Sequence, residues 1–305
     1  MEECVSESKK IESGDSYQPT DVELCLEDSE LSGPLTSFVP GGRVLLVDAK
    51  GHEAFIKLRV GGQSHMHVGY ILHDELLGKP DGYLYTTNTG AQLVAMIPGL
   101  DDTILKMPRG AQVIYPKDIG AILIQADIFP GAKVLEAGVG SGAMSMALVR
   151  AGAHVTGYEL RADFAEIAVK NVGMLARRGS YGSYKVVLRD IYEGIIETGY
   201  DRVILDLPEP WQVVPHLAGA LVSGARVCAY QTSINQVAEF KHSLDRAGFS
   251  TVRTVELLER GWYISGRAVR PDHRMVAHTG FLTSARFVPA LSRIARKTRE
   301  AEDVG

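Results

Sequence analysis

From Ala132 onward, short apolar runs alternate with longer amphipathic stretches in a repeating order. Val134-Leu135 ends in Glu136, three glycines follow, and Ala143 to Val149 reads as a helix. His154–Glu159, Tyr184–Asp190, Tyr200–Asp206 and Ala225–Tyr230 read as further strands, because each is a short run rich in β-branched, aromatic or aliphatic residues. Between them, Arg161–Arg177, Val213–Leu221 and the stretch from Ser233 to Ala247 read as helices, the last capped by the Ser233 hydroxyl. Strands near Ser250–Leu258 and Gly280–Phe287 complete the series. Alternating strand and helix units predict an α/β domain. Its sheet is mostly parallel and doubly wound, with ligands bound beyond the C-terminal strand ends.

Upstream the period shortens to two. Arg43–Asp48 and Glu53–Val60 flank the turn Ala49-Lys50-Gly51-His52, and Tyr83–Thr87 and Gln92–Ile97 flank Asn88-Thr89-Gly90. These strands predict a small β domain over residues 38–105. Prolines in Met107–Asp118 mark a linker, and Pro116-Lys117-Asp118 opens a helix, Ile119–Ala126, within a larger unit spanning 106–290. Residues 1–37 are acidic, serine-rich and poor in large apolar side chains, so a disordered tail is predicted there. Residues 291–305 form a second, charged tail.

Composition sharpens this picture in two places. The chain of 305 residues, 45% hydrophobic and 23% charged, is ordinary for a globular protein, with no apolar run long enough to span a bilayer. Its three cysteines, Cys4, Cys25 and Cys228, match no metal spacing, which points to reduced thiols and a cytoplasmic location. The net charge of -5 is uneven: residues 1–33 hold ten acids and two lysines, which leaves the rest of the chain mildly basic. That balance does not oppose a nucleic-acid partner, since local patches decide such binding. His65 and His67 sit at alternate positions, but spacing supplies neither a cysteine nor a carboxylate pair beside them, so no metal site is expected and a loop or RNA contact is favoured.

The chemistry concentrates at the strand ends. Glu136-Ala137-Gly138-Val139-Gly140-Ser141-Gly142 is a strand end, a glycine turn and a helix start, the arrangement with which α/β sheets hold a nucleoside-bearing cofactor. The G-x-G-x-G spacing differs from the G-x-G-x-x-G of dinucleotide folds and is typical of enzymes that use S-adenosyl-L-methionine. Glu159, 17 residues beyond Gly142, is placed to accept hydrogen bonds from ribose hydroxyls. Asp190 would receive the adenine amino group, and Glu136 would contact the cofactor or hold the glycine turn. Acids at strand ends also cap helices or sit in solvent; four in succession behind this glycine turn favour a cofactor cleft. Asp206-Leu207-Pro208-Glu209-Pro210-Trp211 follows the fourth strand. It holds a polar acceptor for an exocyclic amino group, prolines that stiffen the turn, and an aromatic residue that either stacks on a flipped base or packs on the core.

These segments resemble the tRNA (adenine-N1)-methyltransferase family, bacterial and archaeal branch, which modifies adenosine 58 of the T-loop. The resemblance runs from about Pro40 to about Phe287. It rests on Ser64-His65-Met66-His67-Val68-Gly69, Arg109–Asp118, Leu135–Gly142, the Asp206 hexapeptide, Glu259-Arg260-Gly261-Trp262 and His278-Thr279-Gly280-Phe281-Leu282. It implies a Rossmann-like catalytic domain behind a small β domain, and a homotetramer. It also implies that Gln112 and Tyr115 sit over the cofactor or target base, that Gly138, Gly140, Ser141 and Gly142 hold the methionine end, and that Glu159 takes the ribose and Asp190 the adenine ring. Asp206, with Tyr115, Pro208 and Trp211 beside it, would receive the target adenine as the catalytic acceptor. Arg109, Lys117, Arg260 and Arg267 are candidates for tRNA phosphate contacts. Methylation of another nucleic acid, a protein or a small molecule on the same fold remains the alternative, as does a non-catalytic RNA-binding subunit.

Overall fold

Period-two alternation in the first third of the chain becomes two small antiparallel sheets. The computed structural model describes residues 22–25, 36–107, 109–110, 112–176 and 182–290. Within the segment expected to be a tail, Val22–Cys25 forms β1. Then follow β2 (Arg43–Asp48), β3 (Glu53–Lys57), β4 (Gln63–Met66), β5 (Gly69–Leu72), the short helix α1 (His73–Leu76), β6 (Tyr83–Thr86), β7 (Gln92–Met96) and α2 (Leu100–Lys106). Strands β3-β2-β7-β6 make one sheet and the β4-β5 hairpin a second. Val44, Leu46, Leu58, Ile71, Tyr85 and Leu93 close over each other as their core. The remainder of the 1–37 segment up to Leu35, the tail over 291–305, and Pro108 and Ala111 of the linker lie outside the described residues.

The larger unit opens with α3 (Pro116–Gln125), whose proline occupies the first turn, where a missing amide costs nothing. It continues through β8 (Lys133–Ala137), α4 (Ala143–Arg150), β9 (His154–Glu159), α5 (Ala162–Ala176), β10 (Ser183–Leu188), β11 (Tyr200–Leu205), α6 (Val214–Ala220), β12 (Leu221–Gln231), α7 (Ile234–Arg246), β13 (Phe249–Glu256), the hairpin β14 (Trp262–Ser265) and β15 (Ala268–Pro271), and β16 (Phe281–Phe287). The sheet order is β1-β10-β9-β8-β11-β12-β16-β13. Neighbours from β10 to β12 are parallel, whereas β16 runs antiparallel to both β12 and β13, and β1 antiparallel to β10.

Because side chains alternate along a strand, β8 feeds two cores. Val134 packs with Ile122, Leu148 and Val172 beneath α3, α4 and α5. Leu135 and Ala137 pack with Leu217 and Phe240 beneath α6 and α7. Every residue of α4 from Ala143 to Val149 is buried, which explains why Ser145 is the one polar side chain in that segment. Phe240 is fully buried, so truncating it to alanine costs about 3–5 kcal/mol. A capping box fixes the start of α7: Ser233 Oγ accepts from Asn235 N at 3.2 Å, and Gln236 Oε1 accepts from Ser233 N at 3.0 Å.

Three features depart from expectation. β12 starts at Leu221, because it pairs with β11 from Tyr200 onward, and α6 is correspondingly shorter. β1 pairs in register with β10, Val22 opposite Leu188, so part of the acidic segment covers a sheet edge. The short helices α1 and α2 and the β14-β15 hairpin were not foreseen. Among the described residues, no helix is long and apolar enough to cross a membrane.

Candidate active site

Parallel strands deliver their C-terminal ends to one side of a sheet, and here those of β8, β9, β10 and β11 meet in a cleft of 380 Å³. Gly138, Glu159, Asp190, Asp206 and Pro208 all line it. Five residues drawn from four separate stretches of sequence therefore converge. The volume falls in the range of ordinary ligand pockets, roughly 300–1,000 Å³.

The glycine turn has a steric origin. Gly138 has φ +80° and Gly142 φ +81°, a region that L side chains avoid. A Cβ on Gly138 would also collide with the carbonyl oxygen of Asp206. The glycine thus sets how closely the ends of β8 and β11 approach, and Asp206 N donates to Ala137 O at 2.9 Å across the same gap. Asn171 of α5 secures the far side of the turn, donating to Ser141 O at 2.9 Å and accepting from Arg43 Nη2, in β2, at 2.9 Å. The small β domain thereby reaches the glycine turn through one buried amide.

Glu159 is held by the turn it faces. Its Oε2 accepts from Gly140 N at 2.9 Å and its Oε1 from Arg161 N at 3.0 Å. A carboxylate has about four lone-pair sites, so two remain for hydroxyl donors. Asp190 does what strand-end acids commonly do: its Oδ1 caps the turn Ile191–Glu193, accepting from Tyr192 N at 2.9 Å, and Oδ2 is the oxygen left for a ligand. Glu136 lies buried below the turn, accepting from Ser145 Oγ at 2.7 Å, and Tyr184 Oη donates to that serine at 3.1 Å. Glu136 Oε1 and Ser141 Oγ are buried polar atoms without a protein partner. Such atoms are costly unless a ligand satisfies them, and both flank the turn expected to hold a cofactor's polar end.

The electrostatics favour a cation. Burial pushes the Glu136 carboxyl up to about 8, with the nearby Asp206 and Glu159 charges adding to the shift. Burial likewise pushes Asp206 up to about 7, with the Glu159 charge adding. Two buried carboxyl groups whose ionisation is opposed by neighbouring negative charge gain from a positive ligand placed among them.

Other expected site residues lie elsewhere. Trp211 packs against the core beneath α6 and α7, and Ser243 Oγ donates to its carbonyl at 3.2 Å, so the packing alternative describes it. Gln112 is exposed, and Tyr115 starts α3 with its carbonyl accepting from Asp118 N and Ile119 N, both at 2.9 Å; neither lines the cleft. Lys117 is not free for phosphate. Its Nζ donates to both oxygens of buried Asp118 at 2.8 and 3.0 Å, to Leu257 O at 2.9 Å and to Thr279 Oγ1 at 2.6 Å. Arg109, Arg260 and Arg267 are exposed. Leu160, Arg161, Ile191, Tyr192, Leu207 and Glu209 also line the cleft. Each lies within three residues after a strand-end acid, a signal that reading past the acid would have caught.

Residues 91–269, more than half of the chain, match the family model described as tRNA methyltransferase complex GCD14 subunit, and residues 36–84 match the TrmI-like N-terminal model. The chain belongs to the GCD14-type tRNA methyltransferase family. It is 34% identical to the tRNA (adenine(58)-N(1))-methyltransferase TrmI of Thermus thermophilus, over 80% of this chain and 96% of that protein. Among solved structures, the tRNA (m1A58) methyltransferase TrmI of Aquifex aeolicus superposes with a TM-score of 0.69 at 29% identity, covering 82% of this chain and 98% of that one. A Thermotoga maritima protein described as a SAM-dependent O-methyltransferase gives a TM-score of 0.75 at 33% identity, covering 83% and 95%. The two solved structures share the Rossmann-like α/β class of this chain.

Proposed function

We propose that this protein transfers a methyl group from S-adenosyl-L-methionine to N1 of adenosine 58 in the T-loop of tRNA. The observation that carries the proposal is Asp206, a half-buried carboxyl beside the glycine turn in the cleft that also holds Glu159 and Asp190. The named substrates of TrmI relatives supply the choice of base. Bound S-adenosyl-L-methionine supplies an electrophilic methyl on a cationic sulfur. Glu159 accepts from the ribose hydroxyls, Asp190 Oδ2 from the cofactor's adenine amino group, and Ser141 with the glycine turn holds the methionine end.

Asp206 then acts on the target. Its ionised carboxylate accepts from the N6 amino group, which aims the in-plane lone pair of N1 along the line of displacement. Neutral adenine carries no proton on N1, so no base is required before attack. Positioning provides most of the acceleration, and the positive charge that develops on the ring is stabilised by the carboxylate already in place. Pro208 stiffens the turn that presents Asp206, and Gln236 Nε2 donates to its carbonyl at 2.8 Å from the start of α7.

The target base must leave its stack, and lysine and arginine contacts to phosphate favour that and make binding salt-sensitive. Exposed Arg109, Arg260 and Arg267 suit this role. A homotetramer accords with the β14-β15 hairpin, where Trp262 is 58% and Ile264 70% exposed in the single chain. A tRNA substrate and a buried, unpaired Cys228 accord with the cytoplasm. The test is direct: purified protein, labelled S-adenosyl-L-methionine and an unmodified tRNA transcript should yield N1-methyladenosine at position 58. Label on another atom, or on an oxygen as the Thermotoga description suggests for that relative, would overturn the assignment.

A further inference from the structure

The small β domain holds a cluster outside the methyl-transfer cleft. Asp48 ends β2, His52 follows the turn into β3, and His67 occupies the two-residue loop between β4 and β5. Their ligand-type atoms all lie within 4.8 Å of one another. Asp48 Oδ2 is 2.8 Å from His52 Nδ1 and 3.5 Å from His67 Nε2, and the two imidazole rings meet edge-on with centroids 5.2 Å apart. The carboxylate missing beside His65 and His67 in the linear sequence is thus supplied by the neighbouring hairpin.

We infer that Asp48, His52 and His67 form a binding site for a divalent transition-metal ion, with zinc the best match to two imidazole nitrogens and one carboxylate oxygen. With bonds of about 2.0–2.2 Å, the ligand atoms of a tetrahedral zinc site stand roughly 3.4 Å apart. His67 Nε2 already stands at 3.5 Å from Asp48 Oδ2. The Asp48–His52 hydrogen bond opens by about 0.6 Å to reach tetrahedral spacing. A rotation of one exposed imidazole supplies that. Imidazole and carboxylate donors at this geometry suit zinc, whereas magnesium prefers six oxygens.

The ligands are mounted on rigid supports. Asp48 Oδ1 accepts from Lys50 N at 2.8 Å and His52 N at 2.9 Å, which fixes the carboxylate plane and leaves Oδ2 for the ion. The His67 loop is pinned by Thr87 Oγ1 and Thr89 Oγ1, which donate to Val68 O at 2.8 and 2.7 Å. Glu53 is engaged by Lys106 and is not a fourth ligand. The hollow over His52 and His67 opens to solvent, where water completes the coordination. The bound ion would join β2-β3 of the four-stranded sheet to the β4-β5 hairpin, two sheets that share no strand.

The test uses the full chain, stripped with chelator and titrated with zinc chloride in a calorimeter. One ion per chain is expected. His52→Asn and His67→Asn should each weaken binding by at least the roughly 10- to 100-fold that loss of an outer-sphere partner costs. His65→Asn should leave it unchanged. The His52 and His67 side chains are 59% and 55% exposed, so neither substitution perturbs the core. Zinc should also raise the melting temperature of the wild-type protein and not that of the double variant. No uptake, or uptake equally strong in both histidine variants, would overturn the site, and neither result bears on methyl transfer.

Discussion

Replacing Asp206 by asparagine should make the protein more stable and far less active. Folding raises this carboxyl from 3.8, the ordinary aspartate value, to about 7. The folded chain therefore holds the proton more tightly than the unfolded chain. The resulting penalty is absent below pH 4, grows as pH rises between the two values, and is complete above pH 7. A rise of roughly three pH units is worth about 4 kcal/mol at 1.36 kcal/mol per unit, as an upper bound. Asparagine has the same shape and no charge to bury. Asp206→Asn should thus match the wild type in denaturant melts at pH 4 and exceed it at pH 8. In single-turnover assays its methylation rate should fall about 10²–10³-fold, the loss seen when one preorganised electrostatic partner of a developing charge is removed. Cofactor affinity should change only a few-fold. The wild-type rate should rise with pH through about 7, as the carboxylate ionises. A variant no more stable than the wild type at pH 8 would refute the burial argument, and one within tenfold of the wild-type rate would refute the role of Asp206.

Four further substitutions have expected outcomes. Gly138→Ala places a side chain at φ +80° against the Asp206 carbonyl, so beyond the about 1–2 kcal/mol of a left-handed residue it should force β8 and β11 apart and abolish methylation, measured by label incorporation. Lys117→Met strands the buried Asp118 carboxylate and should cost about 3–5 kcal/mol in urea unfolding. It should leave the salt dependence of tRNA binding unchanged, whereas Arg267→Ala should lower that slope by about one. Ile264→Asp, on the exposed β14-β15 hairpin, should lower the mass of the assembly in light scattering if that hairpin forms the subunit contact.

What the sequence made legible follows from how local the signal was. The parallel strands announced themselves because both faces are buried, and β9 occupies the residues expected of it. The cleft was legible because three of its acids stand at strand ends, so chain order alone places Glu159, Asp190 and Asp206 on one edge. Non-local pairing was not legible. β1 is four residues in an acidic context, and only the free edge of β10 makes it a strand. The antiparallel insertion of β16 between β12 and β13 leaves no mark on either segment's composition. Trp211 offered two roles of equal chemical merit, and packing beneath α7 selected one. The basic charge of Lys117 suggested phosphate, yet its partners come from residues 257 and 279, far along the chain.

The position of β16 has a consequence for synthesis on the ribosome. β13 touches the sheet only through β16, and Thr279, just before β16, donates to Asp118 of α3 at 2.7 Å. Once Gln231 has emerged, the 50 residues up to Phe281 must still follow, and at about 5–20 residues per second that takes several seconds. Throughout that interval β12 presents an unpaired edge, the kind of surface on which strands of other chains add. The nascent protein is therefore most vulnerable late, at that single edge, and a chaperone that attends it has the β12 edge to shield.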